Sequence, residues 1–434
     1  MLSDDLFAPE KLLIRPPLIY PDGISISLPL SKSIANRLMI INFLSNTKVD
    51  LEIPESSDSQ IMFDLLSRIH SEKTDHENQN YISRDVAEYS SEDAGTVFRF
   101  LSALFSCIPG KRILTGSRRM LQRPCGPLID SLIEIGAKCS YIGKHGFPPV
   151  VFEGRALNGG EIEIEASVSS QFISALMMIA PLMNEGLVIH LKGAIVSFPY
   201  ILLTASLMRR CGVEVKISES VIRIPNSQYK ALSLSEADWS AASYWYALVA
   251  ISPMQMIPST GILLKGLSQQ TSQGDGAVLQ IFEQLGVDST WEDEGLRLKK
   301  SNQSITKFNI NLKDYPDLTP AIAVTCAALG LQAELAGLNT LVIKESNRLI
   351  AIRDELLKQG YNCSITDHQN LVIIPGNYSP KTAYVETYND HRIAMAMSLL
   401  CVRKGELAIK NPSVVAKSYP KYWEDLKSAG FVIY

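Results

Sequence analysis

The chain has 434 residues, more than one ordinary domain holds if a domain takes ~150. Its composition, 46% hydrophobic and 20% charged, supplies sizeable cores and excludes a disordered chain. A net charge of −4 argues against a globally basic nucleic-acid binder, and no apolar run approaches the ~18 residues of a membrane span.

In chain order, Ile24-Ser-Ile-Ser-Leu28 alternates as a strand does and leads into Leu30-Ser-Lys-Ser-Ile-Ala-Asn-Arg37 and apolar Leu38–Leu44. Lys32 and Ser33 then sit at a helix start, where free N–H groups favour an anion, and Ser33 and Arg37 share one face. The alternative is a Ser N-cap with two solvated cations. A polar stretch, residues 71–80, reads as a solvated loop. Ser91-Glu-Asp-Ala-Gly-Thr-Val-Phe-Arg99 opens a helix with Gly95 allowing close backbone approach and Asp93 as a plausible N-cap. Arg119-Met-Leu-Gln-Arg123-Pro124 is a basic loop. Ser167-Val-Ser-Ser-Gln171 sets three hydroxyls and an amide before apolar Phe172–Ala180, and Ser197-Phe-Pro-Tyr200 adds two hydroxyls.

The C-terminal half repeats the theme. Tyr315-Pro-Asp317 precedes an apolar helix, so Asp317 is an N-cap or a catalytic carboxylate. Lys344-Glu345-Ser-Asn-Arg348 puts Lys344 and Arg348 on one helical face. Tyr388-Asn-Asp-His-Arg392 opens another apolar helix. His391 is the one histidine of six in such a charged, helix-initiating context. Lys417 precedes a last helix. Lys, Arg, Ser and Asn at several helix starts of a net-acidic chain suit a small, highly anionic ligand set held in a cleft.

A repeat runs beneath these motifs. Apolar helical segments end in Gly136, Gly212, Gly286, Gly360 and Gly430, each followed by an extended stretch, at spacings of 76, 74, 74 and 70. About six α/β units of ~73 residues follow from that period. A sixth unit falls near Leu65–Ile69, without the glycine. The seven cysteines, Cys107, Cys125, Cys139, Cys211, Cys326, Cys363 and Cys401, form no C-x-x-C pair, so neither structural zinc nor a disulfide framework is expected. Met1–Asp5 shows no basic region leading into an apolar stretch, so no secretory signal is expected and a cytoplasmic location is.

Taken in order, Ser31–Arg37, Ala94-Gly-Thr96, Arg119–Pro124, Ser167–Gln171, Ser197–Tyr200, Pro316-Asp317, Lys344-Glu345 with Arg348, and Asn389-Asp-His-Arg392 resemble the signatures of the 5-enolpyruvylshikimate-3-phosphate synthases, the 3-phosphoshikimate 1-carboxyvinyltransferases. The resemblance spans Ile24 to Tyr422. It implies an α/β, two-domain enolpyruvyl-transferase fold of six β-α-β-α-β-β repeats, three per domain, with helix N-termini facing the interdomain cleft. It places the domains at 1–30 plus 245–434 and at 31–244. It also implies transfer of the enolpyruvyl group of phosphoenolpyruvate to the 5-hydroxyl of shikimate 3-phosphate, without metal or organic cofactor. The partners are those two small molecules, with no nucleic acid or membrane, and the chain is expected to be a monomer.

Residue by residue, the resemblance assigns shikimate 3-phosphate to Lys32, Ser33, Arg37, Ser169, Ser170, Gln171, Ser197, Tyr200, Asp317, Thr340 and Lys344. Phosphoenolpyruvate falls to Lys32, Gly95, Arg123, Gln171, Arg348, Arg392 and Lys417. Asp317 would accept the 5-hydroxyl proton, and Glu345 would protonate the methylene carbon and later deprotonate the methyl. Lys32 and His391 would assist. Addition followed by elimination needs one base at oxygen and one acid–base group at carbon, so the set is chemically complete. Gly95 is the residue with which family members bind the herbicide glyphosate at the phosphoenolpyruvate site. Four positions depart from the family pattern: Leu30 for Gly, Asp93 for Asn, Phe100 for Pro and Thr340 for Asn. The alternatives are a UDP-N-acetylglucosamine enolpyruvyl transferase, against which Gly116–Gln122 lacks a cysteine, and a catalytically inactive anion-binding homologue.

Overall fold

The computed structural model describes residues 10–47, 49–78, 86–376 and 384–434. They fall into two compact units, one of Met1–Ser31 with Glu236–Tyr434 and the other of Lys32–Ser235. The division after Ser235 differs from the boundary expected at Tyr244. Tyr244 lies inside a helix, Trp239–Ile251, whose every residue is buried in the first unit's core, so no chain crossing can occur there.

The chain opens in the first unit with β1 (Lys11–Arg15) and β2 (Ser25–Ser27). The second unit begins with α1 (Lys32–Leu44) and α2 (Ser57–Asn78). The polar stretch read as a loop is therefore helical through Asn78; residues 79 and 80 lie outside the described residues. Next come β3 (Ala87–Ser90), α3 (Gly95–Cys107), β4 (Gly110–Thr115), α4 (Gly126–Glu134), β5 (Lys138–Tyr141) and β6 (Val150–Gly154). A copy of this series follows: β7 (Gly160–Glu165), α5 (Ser170–Ile179), β8 (Leu187–Lys192), α6 (Phe198–Arg210), β9 (Lys216–Ser218) and β10 (Val221–Ile224). The sheets β3-β4-β6-β5 and β7-β8-β10-β9 have one order: a parallel first pair, then an antiparallel hairpin beside the second strand.

Back in the first unit, α7 (Trp239–Ile251), β11 (Ile262–Lys265), α8 (Val278–Gln284), β12 (Val287–Glu292) and β13 (Gly295–Lys300) complete a sheet that β2 started. Then β14 (Lys307–Asn311), α9 (Thr319–Leu329), β15 (Gln332–Ala336), α10 (Arg348–Lys358), β16 (Asn362–Thr366) and β17 (Asn370–Ile374) form the sheet β14-β15-β17-β16. The last series is β18 (Tyr384–Val385), α11 (His391–Ser398), α12 (Cys401–Lys404), β19 (Leu407–Lys410), α13 (Tyr422–Ser428) and β20 (Val432–Ile433). Its fourth strand is β1, in the order β18-β19-β1-β20, so the two ends of the chain share one repeat.

The predicted repeat is thus visible as five sheets of one topology. In the sixth unit the described residues form α1 and α2 without a strand. The five repeat glycines all hold positive φ, between 84° and 96°, the left-handed geometry that only glycine adopts cheaply and that turns each helix into its strand. Strands alternate, as in β7, where Ile162 and Ile164 face inward between exposed glutamates. Helices α7, α9 and α11 pack on one another and are apolar nearly all round, as suits a core helix. The second unit buries α3 and α5 in the same way. Their first turns carry the exceptions: Gly95, Ser170, His391 and Arg392 are buried at helix starts, where backbone N–H groups have no helical partner.

Candidate active site

In the second unit, Lys32 is the first residue of α1, and its Nζ lies 2.7 Å from Oδ2 of Asp58 in the first turn of α2. Nothing in the sequence spacing pointed to Asp58. Arg37 is 2% exposed and locked in place. Its Nε donates to Thr204 Oγ1 at 2.7 Å, Nη1 to the Ser33 carbonyl at 2.8 Å, and Nη2 to Ser174 Oγ and the Tyr200 carbonyl at 3.3 Å each. Burial lowers its pKa to about 10, and its guanidinium stacks over Phe100, the residue that departs from the family's proline. These bonds tie α1 to α5 and α6 and place Arg37 against the backbone carbonyls of Ser33 and Tyr200. Ser197 is buried at the start of α6 in a left-handed conformation, φ 53°.

A second cluster forms around Gly95. Ser169 caps α5 through the Gln171 N–H at 3.3 Å, and buried Ser170 is the helix's first residue. Gln171 Oε1 accepts from Arg99 Nη1 at 2.9 Å while its Nε2 donates to Thr96 Oγ1 at 3.1 Å. A Cβ on Gly95 would lie 2.2 Å from Arg99 Nη1 and 2.7 Å from both terminal nitrogens of Arg123. The two guanidiniums are therefore within about 5 Å of each other, both almost fully buried, beside the free N–H groups that start α3. Like charges that close repel, and each is held by an oxygen acceptor, Gln171 Oε1 for Arg99 and the Asp93 carbonyl for Arg123. Arg99 closes the Ser91–Arg99 motif, but the family pattern gives it no role. Asp93 is not an N-cap: Ala94 holds that position, while the Asp93 carboxylate takes the Ser117 hydroxyl and its carbonyl accepts from Arg123 at 3.2 Å.

In the first unit the charges converge on Asp317. Its Oδ1 meets Arg348 Nη1 at 3.0 Å and Lys344 Nζ at 3.4 Å, and its Oδ2 meets Arg392 Nη2 at 3.0 Å. Asp317 sits in the turn Pro316–Leu318 and caps no helix, which removes that alternative. Burial pushes its carboxyl up, but Arg392, Lys344 and Arg348 together hold it well below the usual carboxylate range. Lys344 and Arg348 meet at Asp317 without sharing a helix: Asn347 caps α10, which begins at Arg348, and Lys344 is extended. Arg348 is 0% exposed and also binds Glu345 at 2.6 Å and Asp390 at 2.9 and 3.2 Å. Burial lowers the Lys344 pKa, against the pull of Asp317.

Asp390 caps α11 through the Arg392 N–H at 3.0 Å, and buried His391 is that helix's first residue. Lys417 Nζ reaches the Asn389 carbonyl at 3.0 Å. Thr340 is buried, and its hydroxyl has no hydrogen-bond partner among the described residues. Asp275, which sequence reasoning missed, lies in the turn Gly274–Ala277. Burial and the charge of Asp317 push its carboxyl up to about 6, with Arg392 and Ser240 pulling back. Cys125 is wholly buried and its thiol is pushed up to about 12, so it offers no nucleophile after the Arg-Pro motif.

Buried cations at helix starts of repeated α/β units, with carboxylates among them, suit the binding of small polyanions. Residues 24–426 match the family described as EPSP synthase (3-phosphoshikimate 1-carboxyvinyltransferase), and the chain belongs to that family. It is 38% identical over 413 residues to a 3-phosphoshikimate 1-carboxyvinyltransferase of Bacteroides fragilis, covering 94% of this chain and 96% of that one. A protein of the same description from Sulfurovum is 32% identical, with 95% and 97% covered. The solved EPSP synthase of Acinetobacter baumannii superposes with a TM-score of 0.71 at 19% identity, covering 98% of this chain and all of that one.

Proposed function

We propose that the protein transfers the enolpyruvyl group of phosphoenolpyruvate to the 5-hydroxyl of shikimate 3-phosphate and releases phosphate, the step of the shikimate pathway that leads to chorismate. The observation that carries this is Asp317 and Glu345 bridged by Arg348, with Lys344 and Arg392 on the same carboxylate. Two phosphates and two carboxylates bring about six negative charges, so the reaction needs cations beside its acid–base groups. Asp317 accepts the proton of the 5-hydroxyl as that oxygen bonds to C2 of phosphoenolpyruvate. Glu345 delivers a proton to C3, then removes one from the methyl as phosphate leaves.

Arg348, Arg392, Lys417, Arg123 and Gly95 bind phosphoenolpyruvate in this reading. Ser33, Arg37, Ser169, Ser170, Ser197, Tyr200, Thr340 and Lys344 bind shikimate 3-phosphate, with Lys32 and Gln171 touching both and His391 assisting. In this reading the chain works in the cytoplasm as a monomer, as the family resemblance implies. Separately, no described helix is long and apolar enough to cross a membrane. The deciding assay is phosphate release from phosphoenolpyruvate. Release that needs shikimate 3-phosphate is expected; release supported by UDP-N-acetylglucosamine instead, or none at all, would sink the proposal.

The same site takes glyphosate. Inhibition competitive with phosphoenolpyruvate is expected, because both anions would call on Arg123, whose guanidinium lies against Gly95. In Gly95→Ala the new methyl must displace the Arg99 and Arg123 guanidiniums, so inhibition should weaken and KM for phosphoenolpyruvate should rise. An unchanged inhibition constant would count against the assignment.

A further inference from the structure

We propose that Asp275 is a positioning residue for this reaction: through the Ser240 hydroxyl it holds Arg392 in the attitude that binds phosphoenolpyruvate. The inference rests on the function proposed above and assigns a role to a residue outside the set so far considered. Ser240 lies in the first turn of α7, where its N–H is fixed by Asp238 Oδ1 at 2.7 Å. Its hydroxyl bonds to Asp275 Oδ2, and Arg392 Nη2 donates to the same hydroxyl oxygen at 3.4 Å while donating to Asp317 Oδ2 at 3.0 Å. Four side chains thus form one line, Asp275, Ser240, Arg392, Asp317.

The direction of the line follows from proton counting. A serine hydroxyl has one hydrogen, and an ionised carboxylate can only accept. With Asp275 ionised, the hydrogen points to Asp275 and the oxygen's lone pairs face the guanidinium. An amide at position 275 could donate to that oxygen, leaving the hydroxyl free to aim its hydrogen at Arg392.

The turn that carries Asp275 is tied to the start of the helix that carries Ser240, where Gln273 Oε1 accepts from the Trp239 N–H at 3.3 Å. Gln273 Nε2 donates to Glu236 Oε1 at 2.7 Å and to the Ala237 carbonyl at 2.8 Å. Gly276 packs so closely that a Cβ would lie 2.9 Å from Thr271. The carboxylate is 3% exposed, and the charged or titratable groups facing it are Asp317, Arg392, Asp238 and Tyr315.

The test is steady-state kinetics of wild type, Asp275→Asn, Ser240→Ala and Ser240→Thr, with thermal melting alongside. Asp275→Asn and Ser240→Ala should each raise KM for phosphoenolpyruvate about tenfold and leave KM for shikimate 3-phosphate nearly unchanged, as expected for a lost bond to a charged group. Ser240→Thr, which keeps the hydroxyl, should stay near wild type. The double variant should be no worse than either single one, because the two residues act in series. In wild type, kcat/KM for phosphoenolpyruvate should fall below about pH 6 as Asp275 takes up a proton. The substrates' own phosphates titrate alike in every variant, so the flattened acid limb of Asp275→Asn isolates this group. At pH 7.5 Asp275→Asn should melt no lower than wild type. A carboxyl whose folded pKa is raised stabilises below its unfolded value near ~4 and loses that as pH rises through the folded one.

Equal losses in both KM values together with a lower melting temperature would overturn the inference in favour of a packing role. So would unchanged kinetics and an unchanged pH profile. Absence of shikimate 3-phosphate-dependent release by wild type would overturn the function itself, which keeps the two failures apart.

Discussion

Asp317→Ala is expected to lower kcat by about 10²–10⁴-fold while the protein stays folded, the loss that follows removal of a general base. The structure adds a condition to that expectation. With Arg392 at 3.0 Å, Arg348 at 3.0 Å and Lys344 at 3.4 Å, the carboxylate is too well stabilised to be a good base before substrate arrives. Anionic substrates compete for the same cations, and every bond the cations transfer to substrate raises the proton affinity of Asp317. On the proposed function, the base is therefore activated by the ligand it serves. The pH dependence of kcat should accordingly show an acid limb at higher pH than Asp317 alone would give in the free enzyme. Single-turnover rates across pH, wild type against Asp317→Ala, check both statements. A variant that turns over at wild-type speed would remove Asp317 from the chemistry.

Arg348→Met should be the most damaging substitution for stability among the site residues. Arg348 is wholly buried and is the shared partner of Asp317, Glu345 and Asp390, of which Asp390 is also 0% exposed. Burial opposes its charge, yet the three carboxylates hold it protonated well above its ordinary value. Removing one member of a buried ion cluster leaves its partners uncompensated, a loss of about 3–5 kcal/mol. Denaturant unfolding at pH 7.5 measures it. The pH dependence has a definite sign. The folded pKa of Asp317 is depressed, so its contribution is present above the unfolded value near ~4 and is lost as pH falls through the folded one. In Arg348→Met that acid-side loss should shrink, because part of the depression came from Arg348. A variant as stable as wild type would show that the cluster is not held together through this residue.

The repeat was legible in the sequence because glycine leaves a signature that local physics enforces. Gly136, Gly212, Gly286, Gly360 and Gly430 end helices in positive φ, and the evenness of their spacing carried the count of units. The sixth unit, where no glycine stood, is the one in which the described residues show helices alone. The helix starts were legible for a similar reason: Lys32, Ser169, Gly95 and Asn389-Asp-His-Arg392 sit where an apolar run begins, and that boundary is a local property. Local pattern misplaced Asp93 as a cap and left a cap open for Asp317, because an aspartate before an apolar run has the composition of a cap whether or not its carboxylate turns back to the helix.

What the sequence determined by itself was therefore the set of helix starts, the repeat and the family. Partnership was decided only in three dimensions. Asp58 reaches Lys32 across 26 residues, Gln171 reaches Arg99 across 72, and the Ser240 hydroxyl that bonds to Asp275 also meets Arg392, 152 residues from that serine. No periodicity encodes such pairings. They arise because burial strips water from each charge and forces it onto whatever opposite charge or dipole the packed helices bring within reach.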